Sequence, residues 1–105
     1  MSNSALDTLE RFGTALADPI RRQVLLALLD GPSYPNDLLA VMDTSQPNLS
    51  NHLSCLRGCG LVKTEREGRR VRYEIASDRL VHALEDLVGL ELEIDLSHVE
   101  PGLPS

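Results

Sequence analysis

The stretch from Ser45 to Gly60, SQPNLSNHLSCLRGCG, constrains the fold more than any other part of the chain, because it predicts a helix with two contrasting faces. Ser45 is a favourable N-cap residue, Pro47 suits the first helical turn, and Gly60 favours helix termination. Three leucines recur at helical spacing and form a narrow apolar stripe: Leu49, Leu53 and Leu56. One side of this helix is therefore expected to pack against a core.

The other face of the same helix is polar and almost uncharged. It carries amides, hydroxyls and a single arginine: Gln46, Ser50, Asn51, Ser54 and Arg57. A face that served only solubility would normally carry Glu and Lys pairs, whereas amides and hydroxyls can read base edges in the major groove of DNA. The stretch therefore predicts a DNA-recognition helix.

Three further helices are predicted before this one. The first covers residues 4–17, and the second begins at Pro19 and closes at Asp30 and Gly31. Apolar residues of the second helix are expected at the centre of the core: Ile20, Val24, Leu25 and Leu28. A short third helix covers residues 36–42. A short helix, a tight turn and a longer helix with a polar outer face form the helix-turn-helix arrangement.

After Gly60 the hydrophobic period changes from that of a helix to that of a strand. Residues 62–65 and 71–75 predict two strands joined by a hairpin turn at residues 67–69. The hairpin carries four arginines: Arg66, Arg69, Arg70 and Arg72. A basic hairpin beside a recognition helix is typical of a wing that contacts phosphates or a minor groove, and the alternative is a solvated charged hairpin.

A fifth helix follows the hairpin, with Ser77 or Asp78 as its cap and an apolar face wider than a monomer of this size needs. We therefore assign the first and last helices to the interface of a symmetric homodimer. The predicted fold is mainly α with a small β-hairpin, a winged helix-turn-helix. Its predicted organisation is a disordered N-terminus (1–3), one DNA-binding and dimerisation domain (4–93), and a flexible C-terminal tail (94–105).

Composition limits the classes of function. The net charge of −6 is unevenly distributed, since residues 44–73 carry six basic and two acidic side chains. This local excess of positive charge favours double-stranded DNA as a partner. No stretch approaches the ~20 apolar residues of a membrane helix, so we expect a cytoplasmic protein without a membrane partner. No nucleophile–base pair, phosphate loop or paired-carboxylate cleft can be placed, which predicts neither an enzyme nor an organic cofactor.

Cys55 and Cys59 lie four residues apart on the predicted recognition helix, so their thiols share one flank. Two thiolates in this spacing can bind one metal ion, and sulfur ligands favour thiophilic metals such as cadmium, lead and zinc. A tetrahedral zinc ion binds about four ligands, so a site built on the two cysteines needs further ligands from elsewhere. Two alternatives remain: half-buried packing residues, and a sensor of oxidants or persulfide.

Three segments resemble signature segments of the ArsR/SmtB family of dimeric winged-helix repressors: ALADPIRRQVLLALLDG (15–31), NLSNHLSCLRGCGLV (48–62) and EGRRVRYEI (67–75). The resemblance implies a homodimer that metal or another signal releases from an operator. Cysteines at both positions resemble the cadmium- and lead-sensing branch, which takes a third thiolate from the tail of the partner subunit. Glu100 aligns with that position and His98 lies nearby, which implies a preference shifted toward zinc or cobalt.

The resulting hypothesis is a repressor that binds a palindromic operator and is released by cadmium, lead or zinc. The expected DNA contacts come from the recognition helix and the wing: Ser45, Gln46, Asn48, Ser50, Asn51, Arg69, Arg70 and Arg72. The expected metal ligands are Cys55 and Cys59, with His98 or Glu100 as a third. The alternatives are the same DNA-binding repressor sensing oxidants or persulfide, and a winged-helix module that binds protein.

Overall fold

Four helices, a two-stranded antiparallel sheet and a fifth helix follow one another along the chain. The structure, a computed structural model, describes residues 3–90 and residue 92. The elements are α1 (Asn3–Leu16), α2 (Pro19–Leu29), α3 (Pro35–Ala40), α4 (Gln46–Gly58), β1 (Val62–Glu67), β2 (Arg70–Ile75) and α5 (Asp78–Val88). This order confirms the predicted winged helix-turn-helix.

Side-chain caps fix the starts of the central helices. Asp18 Oδ1 accepts hydrogen bonds from the backbone N–H groups of Ile20 at 2.8 Å and Arg21 at 3.2 Å, and so begins α2. Ser45 Oγ accepts from the N–H of Asn48 at 3.2 Å and begins α4. These caps satisfy donors that have no carbonyl partner inside the helix. Local sequence signals therefore locate these two helix starts.

Three helices end earlier than predicted, the first of them at Leu16 rather than at residue 17. The third was expected over residues 36–42, but α3 is Pro35–Ala40 because the backbone of Val41, with φ −109° and ψ 6°, has left the helical region. The fourth was expected to include Cys59, which instead forms the C-cap of α4. Gly60 follows with φ +80°, a conformation that favours glycine and ends the helix.

The core surrounds α2, which contacts α1, α4, β2 and α5. Val24, Leu25 and Leu28 are buried as predicted, and Ile20 is half-buried against them. The other helices, the wing and the loop before it supply the remaining buried apolar residues: Ala15, Leu38, Leu49, Leu53, Leu56, Leu61, Val62, Ile75 and Leu84. Because α3 and α4 both pack against this core, their relative position is fixed by buried leucines.

The wing is longer than predicted. Its register pairs Val62 with Ile75 at the base and Glu67 with Arg70 at the tip, so only two residues form the turn. The first of them, Gly68, has φ +61°, which favours glycine in a two-residue hairpin loop. The strands therefore include Glu67, which the sequence assigned to the turn.

An apolar surface on α1 and α5 is left uncovered in the single chain. Leu6 and Leu9 on α1 are 55% and 62% exposed, and Leu87 and Val88 on α5 are 47% and 58% exposed. Monomeric proteins rarely expose contiguous apolar patches of this kind. These are the two helices that the sequence assigns to a dimer interface.

The predicted terminal segments fall largely outside the described residues. Helix α1 begins at Asn3, one residue before the predicted start, whereas the predicted tail over residues 94–105, with His98 and Glu100, lies outside the described part. Among the helices that are described, none has both the length and the apolar character needed to cross a membrane.

Candidate functional site

The outer face of α4 carries the predicted base-reading residues. Its buried side holds Leu49, Leu53 and Leu56, which are 1%, 2% and 0% exposed. The five predicted contact residues at the start of the helix are all exposed: Ser45, Gln46, Asn48, Ser50 and Asn51. The leucine stripe therefore orients the helix so that its amides and hydroxyls face solvent.

Some of these polar side chains have partners within the protein. Ser45 Oγ caps the helix, and Asn48 Nδ2 donates to Thr44 Oγ1 at 2.8 Å. Gln46, Ser50 and Asn51 make no side-chain hydrogen bond within residues 3–90. The latter three are thus the residues whose hydrogen-bonding groups are fully available to a ligand.

The three predicted wing arginines differ in their surroundings. Arg69 is exposed and has no charged or hydrogen-bonded partner among the described residues. Arg70 lies with its guanidinium carbon 3.5 Å from the centroid of the Tyr34 ring, and its Nη2 is 3.7 Å from Asp37 Oδ2. Arg72 is half-buried and its Nη1 lies 3.6 Å from Glu67 Oε2. Of these three arginines, Arg69 alone can bind an anion without leaving a partner among the described residues, and Arg66 on β1 is likewise exposed and unpartnered there.

Tyr34 was not identified from the sequence as a residue of the site. Its hydroxyl donates to Glu67 Oε1 at 2.6 Å, and this hydrogen bond raises the pKa of the phenol. The neighbouring Ser33 exchanges backbone hydrogen bonds with Tyr73 at 2.9 Å and 2.8 Å. The loop before α3 is therefore attached to the wing through side chains and backbone together. Tyr34 lies in a Pro-rich turn, and no local signal links it to the wing.

His52 on α4 points toward α2 rather than toward a ligand. Its Nδ1 lies 3.2 Å from Arg21 Nη1, and its Nε2 lies 3.6 Å from Asp18 Oδ1. Because an arginine can only donate, Nδ1 accepts and the ring proton resides on Nε2, facing the carboxylate. The half-buried ring thus joins α4 to the start of α2.

Cys55 and Cys59 are half-buried free cysteines on the flank of α4. The two thiols interact electrostatically, and the backbone N–H of Cys59 donates to the carbonyl of Cys55 at 3.0 Å. Burial raises the pKa of the Cys59 thiol, the neighbouring Cys55 raises it further, and Arg11 and Arg21 partly oppose both effects. The two thiols therefore lie close enough at the end of α4 to influence each other's ionisation.

The thiol pair does not by itself form a complete metal-ligand set within the described residues. No group of three or more His, Cys, Asp or Glu side chains in this part of the chain is arranged to hold a metal ion. His98 and Glu100, the predicted third ligands, lie outside the described residues. The donor set still fits a soft metal, because two adjacent sulfur atoms supply half of a tetrahedral shell.

Comparison with known proteins agrees with this architecture. A sequence model of the family described as bacterial regulatory protein, arsR family, matches residues 18–64, which extend from the cap of α2 into β1. The transcriptional regulator CmtR of Mycobacterium bovis is 54% identical over 87 residues, covering 83% of this chain and 74% of that protein.

Two solved structures are similar over most of the chain. The NMR structure of the cadmium metal sensor CmtR from Mycobacterium tuberculosis superposes with a TM-score of 0.67 at 50% identity, covering 91% of this chain and 97% of that one. A homodimeric winged helix-turn-helix DNA-binding domain from Mycobacterium bovis gives a TM-score of 0.72 at 31% identity, covering 84% and 86%. The matched proteins are regulators, as predicted, and not enzymes.

Proposed function

The chain belongs to the arsR family of bacterial regulatory proteins, and we propose that it is a dimeric repressor released from its operator by a thiophilic metal. The metal would be cadmium, lead or zinc, bound at Cys55 and Cys59. One observation carries the proposal: the adjacent thiols lie on the helix whose outer face presents free amides and hydroxyls. A ligand on the thiols therefore acts directly on the DNA-reading element.

The DNA interface consists of the start of α4 and the wing. Gln46, Ser50 and Asn51 read base edges, since their side chains are exposed and unpartnered within residues 3–90. Ser45 and Asn48 hold the first turn of the helix and contact the adjacent DNA backbone. On the wing, Arg69, Arg70 and Arg72 contact phosphates, with Arg69 the most accessible of the three.

The homodimer forms through α1 and α5. Their exposed apolar residues, among them Leu9 and Leu87, are covered when two copies pack with the same surfaces facing each other. A two-fold axis presents two α4 helices to one side of DNA. The operator is accordingly an imperfect palindrome with half-sites about one helical turn apart, roughly 34 Å.

The metal site needs at least one ligand beyond Cys55 and Cys59. His98 or Glu100 supplies it, from the same subunit or from the partner. An imidazole or a carboxylate is harder than a thiolate, so the site favours zinc more than a site of three sulfurs would. Both thiols must lose a proton when the metal binds, and the raised pKa of Cys59 makes metal affinity increase with pH.

Release from DNA follows from linkage. The Cys55 and Cys59 thiolates and the tail ligand together hold α4 to a segment outside the domain, and this favours a dimer geometry that no longer fits two successive major grooves. A coupling of about 1–3 kcal/mol corresponds to roughly a 5- to 150-fold loss of operator affinity. The coupling is reciprocal, so operator DNA must weaken metal binding by the same factor.

Fluorescence anisotropy tests the proposal directly. The reduced protein is titrated onto a duplex taken from the DNA upstream of its own coding region, then with zinc, cadmium and lead salts. Release by metal in the wild type, and no release in Cys55→Ser or Cys59→Ser, is the expected result. His82→Ala is the control, since this exposed histidine on α5 is a potential ligand away from the thiol pair.

Three other outcomes would contradict parts of the proposal. Tight DNA binding that no metal reverses would eliminate metal sensing and leave the repressor. Release by peroxide or polysulfide without metal would support the oxidant-sensing alternative, which the raised pKa of the Cys59 thiol disfavours. A folded dimer that binds no upstream DNA at low salt would support the protein-binding alternative.

A further inference from the structure

Arg70 on the wing is held between an aromatic ring and a carboxylate of the helix-turn-helix. Its guanidinium carbon lies 3.5 Å from the centroid of Tyr34, which is cation–π distance. Its Nη2 lies 3.7 Å from Asp37 Oδ2 in the first turn of α3. One of the proposed phosphate ligands thus already has an anionic partner in the free protein.

The ring beneath Arg70 is fixed relative to the wing. Tyr34 Oη donates to Glu67 Oε1 at 2.6 Å, and the preceding Ser33 is paired with Tyr73 through two backbone hydrogen bonds. Tyr34 is therefore attached to the hairpin, whereas Asp37 makes no hydrogen bond or ion pair with the wing, among the described residues, other than the one with Arg70. The Tyr34 ring therefore stays beside Arg70 when the hairpin moves, whereas the Asp37 carboxylate can be replaced by another anion.

A surface cleft opens beside this arrangement. It is lined by residues of the loop before α3, the start of α3 and the wing: Tyr34, Pro35, Asn36, Arg69, Arg70 and Val71. Arg69 is unpartnered there, so the cleft already has one free positive charge. A second becomes available only if Arg70 leaves Asp37. The chemistry of the cleft suits a phosphate group once that exchange has occurred.

The Arg70–Asp37 pair is weak enough to exchange. Its side chains are 57% and 65% exposed, and ion pairs with such exposure contribute little to stability because water screens them. A DNA phosphate approaching Arg69 and Arg70 would compete with one exposed carboxylate.

We propose that Asp37 is an internal competitor of DNA phosphate for Arg70, and that Tyr34 is the positioning residue that keeps Arg70 at the cleft during the exchange. The proposal rests on the DNA binding proposed above. Asp37 lowers the affinity of the protein for all duplexes, specific or not, because phosphates carry no sequence information. It therefore limits non-specific binding by a protein whose base-reading residues lie elsewhere, on α4.

The test is a double-mutant cycle on Asp37 and Arg70. The probe is a duplex selected from a random-sequence pool by the wild-type protein, with an unselected duplex of equal length beside it. Asp37→Asn should tighten binding to both duplexes by about twofold to fivefold, and Arg70→Ala should weaken it by about tenfold. The double variant should bind like Arg70→Ala alone, because Asp37 acts through Arg70.

Asp43→Asn is the matched control, since Asp43 is exposed in the turn before α4 and has no partner among the described residues. Equal tightening by Asp43→Asn would show a net-charge effect and overturn the inference. Tightening by Asp37→Asn that persists in the Arg70→Ala background would also overturn it, as would no tightening at all. Failure of the wild type to select any duplex would instead remove the DNA-binding proposal itself.

Tyr34 is tested by a conservative and a non-conservative variant. Tyr34→Phe keeps the ring under Arg70 and loses the hydrogen bond to Glu67, so it should bind DNA within about twofold of wild type. Tyr34→Leu removes the ring and should weaken binding only when Arg70 is present. A loss of the same size in the Arg70→Ala background would assign Tyr34 to general stability and contradict a positioning role.

Discussion

Arg21 is the side chain that joins the beginning of the fold to the helix carrying the candidate sites. Its guanidinium donates to the carbonyls of Thr14 at 2.7 Å and Ala15 at 3.3 Å, which end α1, and its Nη1 donates to His52 Nδ1 on α4. It is also one of the two arginines whose charge acts on the Cys59 thiol. A movement of α4 on metal binding would therefore be transmitted through Arg21 to the end of α1.

Asp18, beside this arginine, should make stability depend on pH. Burial opposes ionisation, but the N–H groups of Arg21 and Ile20 and the charges of His52 and Arg21 outweigh it, so the pKa of Asp18 lies below 3.8. The ionised carboxylate therefore stabilises the fold above the unfolded pKa, and this contribution is lost as pH falls through the folded value. Asp18→Asn keeps an N-cap acceptor and removes the charge.

Thermal unfolding of this variant, followed by circular dichroism, is the measurement. Asp18→Asn should have a lower melting temperature than wild type at pH 7, and the difference should shrink as the pH falls and the carboxylate of Asp18 becomes protonated. Asp30→Asn is the control, because Asp30 is exposed at the end of α2 and makes no side-chain contact among the described residues. An Asp18→Asn deficit that stays constant with pH would assign the effect to packing rather than to charge.

At the scale of single residues, local sequence signals predicted which side chains are buried, but they did not predict contacts between residues far apart in the chain. The stripe of Leu49, Leu53 and Leu56 is visible in the sequence because helix geometry repeats every 3.6 residues. The contact between Tyr34 and Arg70 is not visible, because the two residues belong to segments brought together only by chain reversal. Which arginine of the wing would be free, and which would be held, could not be predicted for the same reason.

The end of helix α4 determines how the thiol pair meets the wing. Gly58 is the last helical residue, Cys59 is the cap, and Gly60 reverses the chain with φ +80°. Leu61 N–H then donates to the carbonyl of Leu56 at 3.1 Å, which directs the chain into β1. The thiol pair and the wing are thus separated by one tight, glycine-dependent turn.

Alanine at the two glycines of this turn should have opposite effects on stability. Gly60→Ala places a Cβ at a positive φ and should destabilise the protein by about 1–2 kcal/mol. Gly58→Ala is in the helix with open space around its Cβ, and should be neutral or stabilising by up to roughly 1 kcal/mol. Urea denaturation measures both, and destabilisation of similar size by the two substitutions would contradict this account of the turn.

Helices and strands were predicted in the correct order because each boundary has a local cause. Pro19 and the Asp18 cap begin α2, Ser45 begins α4, and the change of period after Gly60 marks the wing. The exact ends of the two strands were less predictable, since the pairing of Glu67 with Arg70 depends on both strands together. The third metal ligand belongs to a segment outside the described residues and stays a prediction.

At the scale of the whole molecule, charge and apolar surface are separated. The basic side chains of residues 44–73 lie on α4 and the wing, whereas α5 exposes acidic residues such as Glu85 and Asp86. Exposed leucines lie on α1, on α2 and on or just after α5, whereas the proposed DNA contacts lie on α4 and the wing. A protein of net charge −6 can therefore present one positive surface to DNA while a different surface joins two copies.

Leu9→Glu should separate the proposed dimer. Leu9 is 62% exposed on α1, so a glutamate there costs the isolated chain little but places two like charges near the two-fold axis of the dimer. Sedimentation equilibrium should give twice the chain mass of 11.5 kDa for wild type and a value near the single-chain mass for the variant.

Val41→Glu is the control and should remain dimeric, because Val41 is 76% exposed but lies between α3 and α4. If the Leu9→Glu protein has the mass of a dimer, Leu9 and α1 do not form the interface. If the wild type is a monomer, the proposed dimer is wrong and each operator half-site must be bound by a separate chain.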